Sequence, residues 1–321
     1  MRLYDRILSS DFFADQPPVI IDIGGAGGMQ PIWRPIASQA HCVSFDADER
    51  DFGSEYGSAS KWKHLSIVRK IVTADGTDRA SFFLTLSPHC SSTLQPNEQG
   101  LASWDFRNLF KVREIVNLPT TDLGSVLEEL GIQYVDWFKS DSQGTDLRLW
   151  DSLPASVRSE VAVASFEPGI LDSYVGEDKF HEVLAYMDSP AWYLGRLDVR
   201  GARRLDPRQE SRFPRIGRRV YMAGLAPAPG WVEAWFIRNY TADDAPSPRA
   251  LLMAWIGATR LKQYGHAWVM ARLGRDLYGD SLFRDCETAS ERILLLPNMA
   301  TIRRLWAART RLQEAISKVR P

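Results

Sequence analysis

At 321 residues, with 45% hydrophobic and 25% charged residues, the chain has the size of one large domain with an appendage and the make-up of an ordinary globular protein. Its three cysteines lie far apart without paired spacing, which argues against a disulfide framework or a zinc cluster and suits a reducing, cytoplasmic setting. The net charge of −1 hides an asymmetry: residues 201–321 hold 21 Lys and Arg against 11 Asp and Glu, so the first 200 residues are acidic and the remainder basic.

In chain order, MRLYDRILSSDFF is broken by Asp5, Arg6 and Asp11 and has no signal-peptide core, and no later run is apolar enough to span a bilayer. VIIDI (19–23) predicts a short buried strand ended by glycines, followed by a helix over 28–40 made irregular by Pro31 and Pro35. HCVSFDAD (41–48) predicts a second strand ending in acid. Residues 65–72 and 81–86 predict strands, with Asp75-Gly76 as a turn between them, and 112–118 predicts another. Asp122 and the two threonines before it offer caps to LGSVLEELG, which Gly131 closes. Strands over 134–139, 160–166 and 192–197 then alternate with helices over 146–153 and 178–188. The pattern is that of an α/β, Rossmann-like doubly wound fold with a mostly parallel sheet. Residues 1–200 form this domain. Residues 201–240 read as a basic connector plus a strand returning to the sheet edge, and 241–321 as a helical C-terminal extension.

The chemistry concentrates at the first turn, IIDIGGAGGMQPI. Glycine admits positive φ and lacks a Cβ, so a ligand can press against the main chain. A helix start beyond it would suit an anionic group, and the acid of FDAD can accept hydrogen bonds from two ribose hydroxyls. No Gly-Lys-Ser/Thr follows, so this is not a P-loop, and the dinucleotide pattern G-x-G-x-x-G fails at Gln30. What does fit is an acid two residues before the first glycine.

Several separated motifs carry a resemblance. Asp22, Gly24 and Gly28, with Gly25 and Ala26 between, match a D-x-G-A-N-x-G loop. Phe45-Asp46-Ala47 stands for F-E-P, and Lys139-Ser140-Asp141-Ser142-Gln143-Gly144 stands for K-x-D-x-E-G. SPHCSSTL (87–94) occupies the place of a serine-rich loop. Over roughly residues 19–200 the chain resembles the FkbM family of S-adenosylmethionine-dependent methyltransferases, departing from it at Ala26 and Gln143. The resemblance implies S-adenosyl-L-methionine as cofactor and O-methylation of a small-molecule or glycan hydroxyl, a surface polysaccharide first. Gly24, Gly25, Ala26 and Gly28 would cradle the cofactor's methionine end and ribose, and Asp22 would add a fixed negative charge. Asp46 would take the ribose diol, while Ser91 and Ser92 would bond the adenine or ribose edge. Asp141, ending YVDWFKSD, can act as base, hold the cofactor's ammonium or cap the next helix. His89 and Glu167 are further candidate bases. Lys139 can balance Asp22 or Asp141, and no spacing demands a metal.

The basic amphipathic segment 299–320 reads as a surface helix packed on its own domain, or as an element touching anionic lipid or a glycan carrier. Residues 251–276, with Trp255 and Trp268, are too charged to cross a membrane and read as core, a homodimer face or part of an acceptor cleft. The arginines are not interleaved with a nucleic-acid-binding motif. A nucleotide- or NAD-dependent oxidoreductase and a non-catalytic scaffold on the same fold are the alternatives.

Overall fold

The computed structural model describes residues 3–24, 28–48, 50, 61–213, 218–296, 306 and 309. Its strands are β1 (Val19–Ile23), β2 (His41–Phe45), β3 (His64–Val68), β4 (Ile71–Val72), β5 (Arg79–Thr85), β6 (Val112–Thr121), β7 (Trp137–Ser140), β8 (Val163–Phe166), β9 (Trp192–Ala202) and β10 (Ala228–Arg238). The main sheet runs β3-β2-β1-β7-β8-β10-β9, and β4-β6-β5 form a small second sheet. Its first five strands are parallel, and β10 runs antiparallel to both neighbours. Apart from half-buried His41, β1, β2, β7 and β8 are buried on both faces, as central parallel strands are, and the polar residues they carry (Asp22, Ser44, Lys139, Ser140 and Ser165) are buried with them. The chain winds from β1 to β2 and β3, then crosses back to β7, so strand order reverses between β1 and β7.

Two expectations need correction. The helix over 28–40 does not form: the described chain makes turns and a 3-10 helix at Ala37–Gln39. Pro31 and Pro35 supply no backbone N–H, so the ladder cannot be completed. With it goes the helix start proposed as an anion site after β1. The strand at 231–240 exists, but β10 is wedged between β8 and β9, which leaves β9 at the edge. The long β9–β10 hairpin explains why: β10 pairs with β9 from Ala228 to Arg238 and offers its other edge to β8.

The C-terminal helices are integral to the core. Helix Pro248–Arg260 buries ten residues, among them Trp255, and shares one core cluster with Ile20, Trp33, Cys42, Trp137 and Val163. It thereby covers a sheet face where a regular helix after β1 would lie. Arg249 fixes it by a two-pronged pair with buried Asp136 (2.6 and 2.9 Å), at the start of β7. Trp255 donates to Ser290 Oγ at 2.9 Å, so it belongs to the core, and half-buried Trp268 carries the Arg272 guanidinium on its ring. The opposite face packs Phe138, Leu149, Trp150, Val183 and Phe236. No helix among the described residues is long and apolar enough to cross a membrane. Of the basic segment 299–320, only Trp306 and Arg309 lie within the described residues.

Candidate functional site

Strand register builds the site. Phe45, Ile23, Ser140 and Phe166 stand in one row across β2, β1, β7 and β8. The next residue of each strand is therefore Asp46, Gly24, Asp141 and Glu167. Three carboxyl groups and one bare backbone position thus share one rim, at the carboxyl ends of parallel strands beside the switch point, where such sheets bind ligands.

Gly24 sits in the row because nothing larger fits. Its φ is +75°, and a Cβ there would lie 2.1 Å from the Asp141 carbonyl oxygen. Gly28 also has positive φ (+74°). Gly25 and Ala26 lie outside the described residues. Beneath the rim, Asp22 and Lys139 are register neighbours, both buried, joined at 3.0 Å. The Lys139 ammonium also donates to the carbonyls of Ile23 and Gly24, both at 3.2 Å. Burial pulls the lysine's pKa down, but the charge of Asp22, then that of Asp141, outweighs it and holds the group firmly protonated. Lys139 therefore neutralises Asp22 and braces the glycine turn.

A first cavity opens over Gly24, Asp46 and Asp141, with Val72, Phe82 and Ser91 among its walls. It is a half-open crevice of about 110 Å³. Asp46 is half-buried there. Its Oδ1 accepts from the Asp48 N–H at 2.8 Å, while its Oδ2 is buried and has no partner among the described residues. Burial, followed by the charges of Asp48 and Asp22, pushes its pKa up to about 6. A buried acceptor without a donor is what a ligand hydroxyl would complete. Asp48 is held by Arg50, whose Nη2 also donates to Ser91 Oγ at 2.8 Å. Ser91 thus lines the cavity with its hydroxyl already engaged. Ser92 lines neither this cavity nor the next: its hydroxyl donates to the Gln143 carbonyl at 2.7 Å and ties the loop to the end of β7.

A second cavity of about 480 Å³ adjoins the first, and both are lined by Asp141, Gln143 and His89. Its walls are the rings of Phe106, Phe110, Tyr174 and Trp231, with Glu167, Glu177, Asp105 and Arg203. Phe106 lies 5.4 Å from Phe110 and 6.4 Å from Trp231, centre to centre, and Phe110 lies 5.4 Å from Tyr174. Gln143, at φ +60°, spans the boundary: its amide donates to Asp141 Oδ1 at 2.6 Å and accepts from Tyr174 Oη at 2.9 Å. The three comparisons, with family models, curated proteins and solved structures, find no match.

Motif reading missed much of this arrangement. Fully buried Asp146 accepts from Ser140 Oγ, from Ser142 N and Oγ, and from the Glu167 N–H, locking the ends of β7 and β8 together. From the sequence, Asp146 is only the first residue of the helix predicted over 146–153. The cap of the following helix is Thr145, with no side-chain cap bond, so Asp141 does not cap it. Trp231 and Tyr174 are brought in by the β9–β10 hairpin and the loop after β8. Among the described residues, no three His, Cys, Asp or Glu are grouped as a metal ion requires.

Proposed function

We propose that the protein is an S-adenosylmethionine-dependent methyltransferase acting on a hydroxyl oxygen, with a sugar or natural product as acceptor and a surface polysaccharide as first choice. The observation that carries this reading is the common wall. Asp141 belongs to two adjoining cavities, one edged by a free ribose-type acceptor, the other lined by aromatic rings. The cofactor, when bound, supplies a methyl group already activated by a positive sulfur. Gly24 gives the close backbone approach, Asp46 the acceptor for the ribose hydroxyls, and Asp141 a negative charge facing that sulfur. The rings of Phe106 and Trp231, set at 73° to each other, give an apolar lining against which a sugar or polyketide face can pack. The residues' task is alignment of acceptor oxygen, carbon and sulfur nearly in line.

A dinucleotide is supported less well. Its pyrophosphate calls for a helix start after β1, and the usual order 3-2-1-4-5-6 has no reversed strand wedged beside the fifth. The acids at the rim suit a cation better than a diphosphate.

Calorimetric titration separates the readings. S-adenosylhomocysteine is expected to bind and reduced nicotinamide dinucleotide is not. Affinity should rise with pH through about 6, as Asp46 becomes the carboxylate that accepts two hydroxyls. Asp46→Asn should weaken binding by roughly 10- to 100-fold, the worth of hydrogen bonds to a charged group, and flatten that pH dependence. Tight binding of the dinucleotide alone would overturn the assignment.

A further inference from the structure

The acids of the second cavity differ in what already holds them. Asp105 faces Arg203 at 3.6 Å and accepts from its N–H at 3.2 Å. Glu177 accepts from the Ser173 N–H at 2.7 Å and pairs with Lys179 at 3.2 Å. Asp141 is clamped by Gln143. Only the Glu167 carboxyl makes no hydrogen bond or ion pair among the described residues, although its backbone N–H is pinned by Asp146 at 2.9 Å. It lines the larger cavity and stands in the rim row directly beside Asp141. His89, the competing candidate, also lines both cavities, but it lies in the short 3-10 helix Pro88–Cys90, is exposed and has a partner already.

We propose that Glu167 receives the acceptor's hydroxyl proton, and that seating a cation in the neighbouring crevice readies it by making it a carboxylate. The inference rests on the methyl-transfer reading. As the acceptor oxygen bonds to the methyl carbon, its proton passes to Glu167 and the carbon–sulfur bond breaks, its electron pair staying on sulfur. A cation and a carboxylate become two neutral groups, so no further reactant is needed.

The surroundings explain the readying. Facing Glu167 are Asp141 and Lys139 from β7 and its end, Asp146 from the following helix, and Glu233 from β10; Glu177 stands across the cavity. Burial first, then the charge of Asp141, pushes the glutamate's pKa up to about 9 against the pull of Lys139. In the empty protein it is therefore protonated at neutral pH and cannot act as a base. A positive charge beside Asp141 offsets the repulsion that keeps it so.

S-adenosylmethionine and S-adenosylhomocysteine differ by one methyl and one charge, so they are the probes. Each is titrated into the full chain by calorimetry near neutral pH, in two buffers of different ionisation heat. The expected result is release of more protons with S-adenosylmethionine, by roughly half to one per site. Glu167→Gln should bind both and abolish the difference, whereas Glu177→Gln should keep it. With acceptor present, Glu167→Gln should lose roughly 100-fold or more in kcat, the usual scale of general-base catalysis. Equal proton release by the two ligands in the wild type overturns the proposal without any variant, as does a difference that survives in Glu167→Gln. Binding of neither ligand overturns the methyl-transfer reading itself.

Discussion

Replacing Gly24 by alanine is expected to destabilise the fold by about 2–5 kcal/mol and to remove measurable cofactor binding. Two costs add. A left-handed backbone with a Cβ costs roughly 1–2 kcal/mol, and a Cβ 2.1 Å from the Asp141 carbonyl oxygen must push β1 and β7 apart, an overpacking cost of about 1–3 kcal/mol. Gly76 is the control. It has φ +67° in the turn between β4 and β5, but a Cβ there meets nothing within 4 Å. Gly76→Ala should therefore show only the backbone cost, roughly 1–2 kcal/mol, and leave binding unchanged. Chemical denaturation and calorimetry of both variants check this, and equal losses would mean that the close approach at the rim is unimportant.

The second large effect lies under the rim. Lys139→Met should cost about 3–5 kcal/mol, because it leaves the Asp22 carboxylate buried without its counter-charge. Lys139 and Asp22 are 9% and 1% exposed, so water cannot substitute. Pairing it with Asp22→Asn should recover most of the loss, since the two act as a unit. The sign of the pH dependence follows from the lysine's raised pKa. Its stabilisation is fully present below the unfolded value of about 10.4 and is lost only as pH climbs through the folded one. Around neutral pH the lysine is charged in the folded and unfolded chain alike, so denaturation of the single and double variants is the proper measurement. Additive losses in the double variant would show that the pair is not coupled.

The sequence reveals the rim because a parallel strand writes its own end. Apolar runs close with Asp46, Asp141 and Glu167, and strands of one sheet stop at one edge, so the residue after each run points to the same place. The glycines after Asp22 mark the close approach for the same reason. What was illegible depends on contacts between distant segments. Pro31 and Pro35 signalled an irregular helix, but not that helix Pro248–Arg260 would cover that face instead. Nothing in WVEAWFIRNY tells an edge strand from one wedged between β8 and β9, since pairing is decided by partners and not by composition. The aromatic cavity follows the same logic: Phe106, Tyr174 and Trp231 share no period or spacing, and only the fold assembles them. The partners of the serine loop were equally hidden: Ser91 is engaged by Arg50 and Ser92 by the Gln143 carbonyl, contacts that a serine-rich composition does not specify.

A crystal structure of the chain soaked with S-adenosylhomocysteine tests the central claim most directly. The account predicts the ribose hydroxyls within hydrogen-bond distance of Asp46 and the sulfur facing Asp141, at the wall between the two cavities, with the aromatic cavity left open. A nucleoside lodged among Phe106, Tyr174 and Trp231, or an Asp46 carboxylate that no ligand touches, would contradict it.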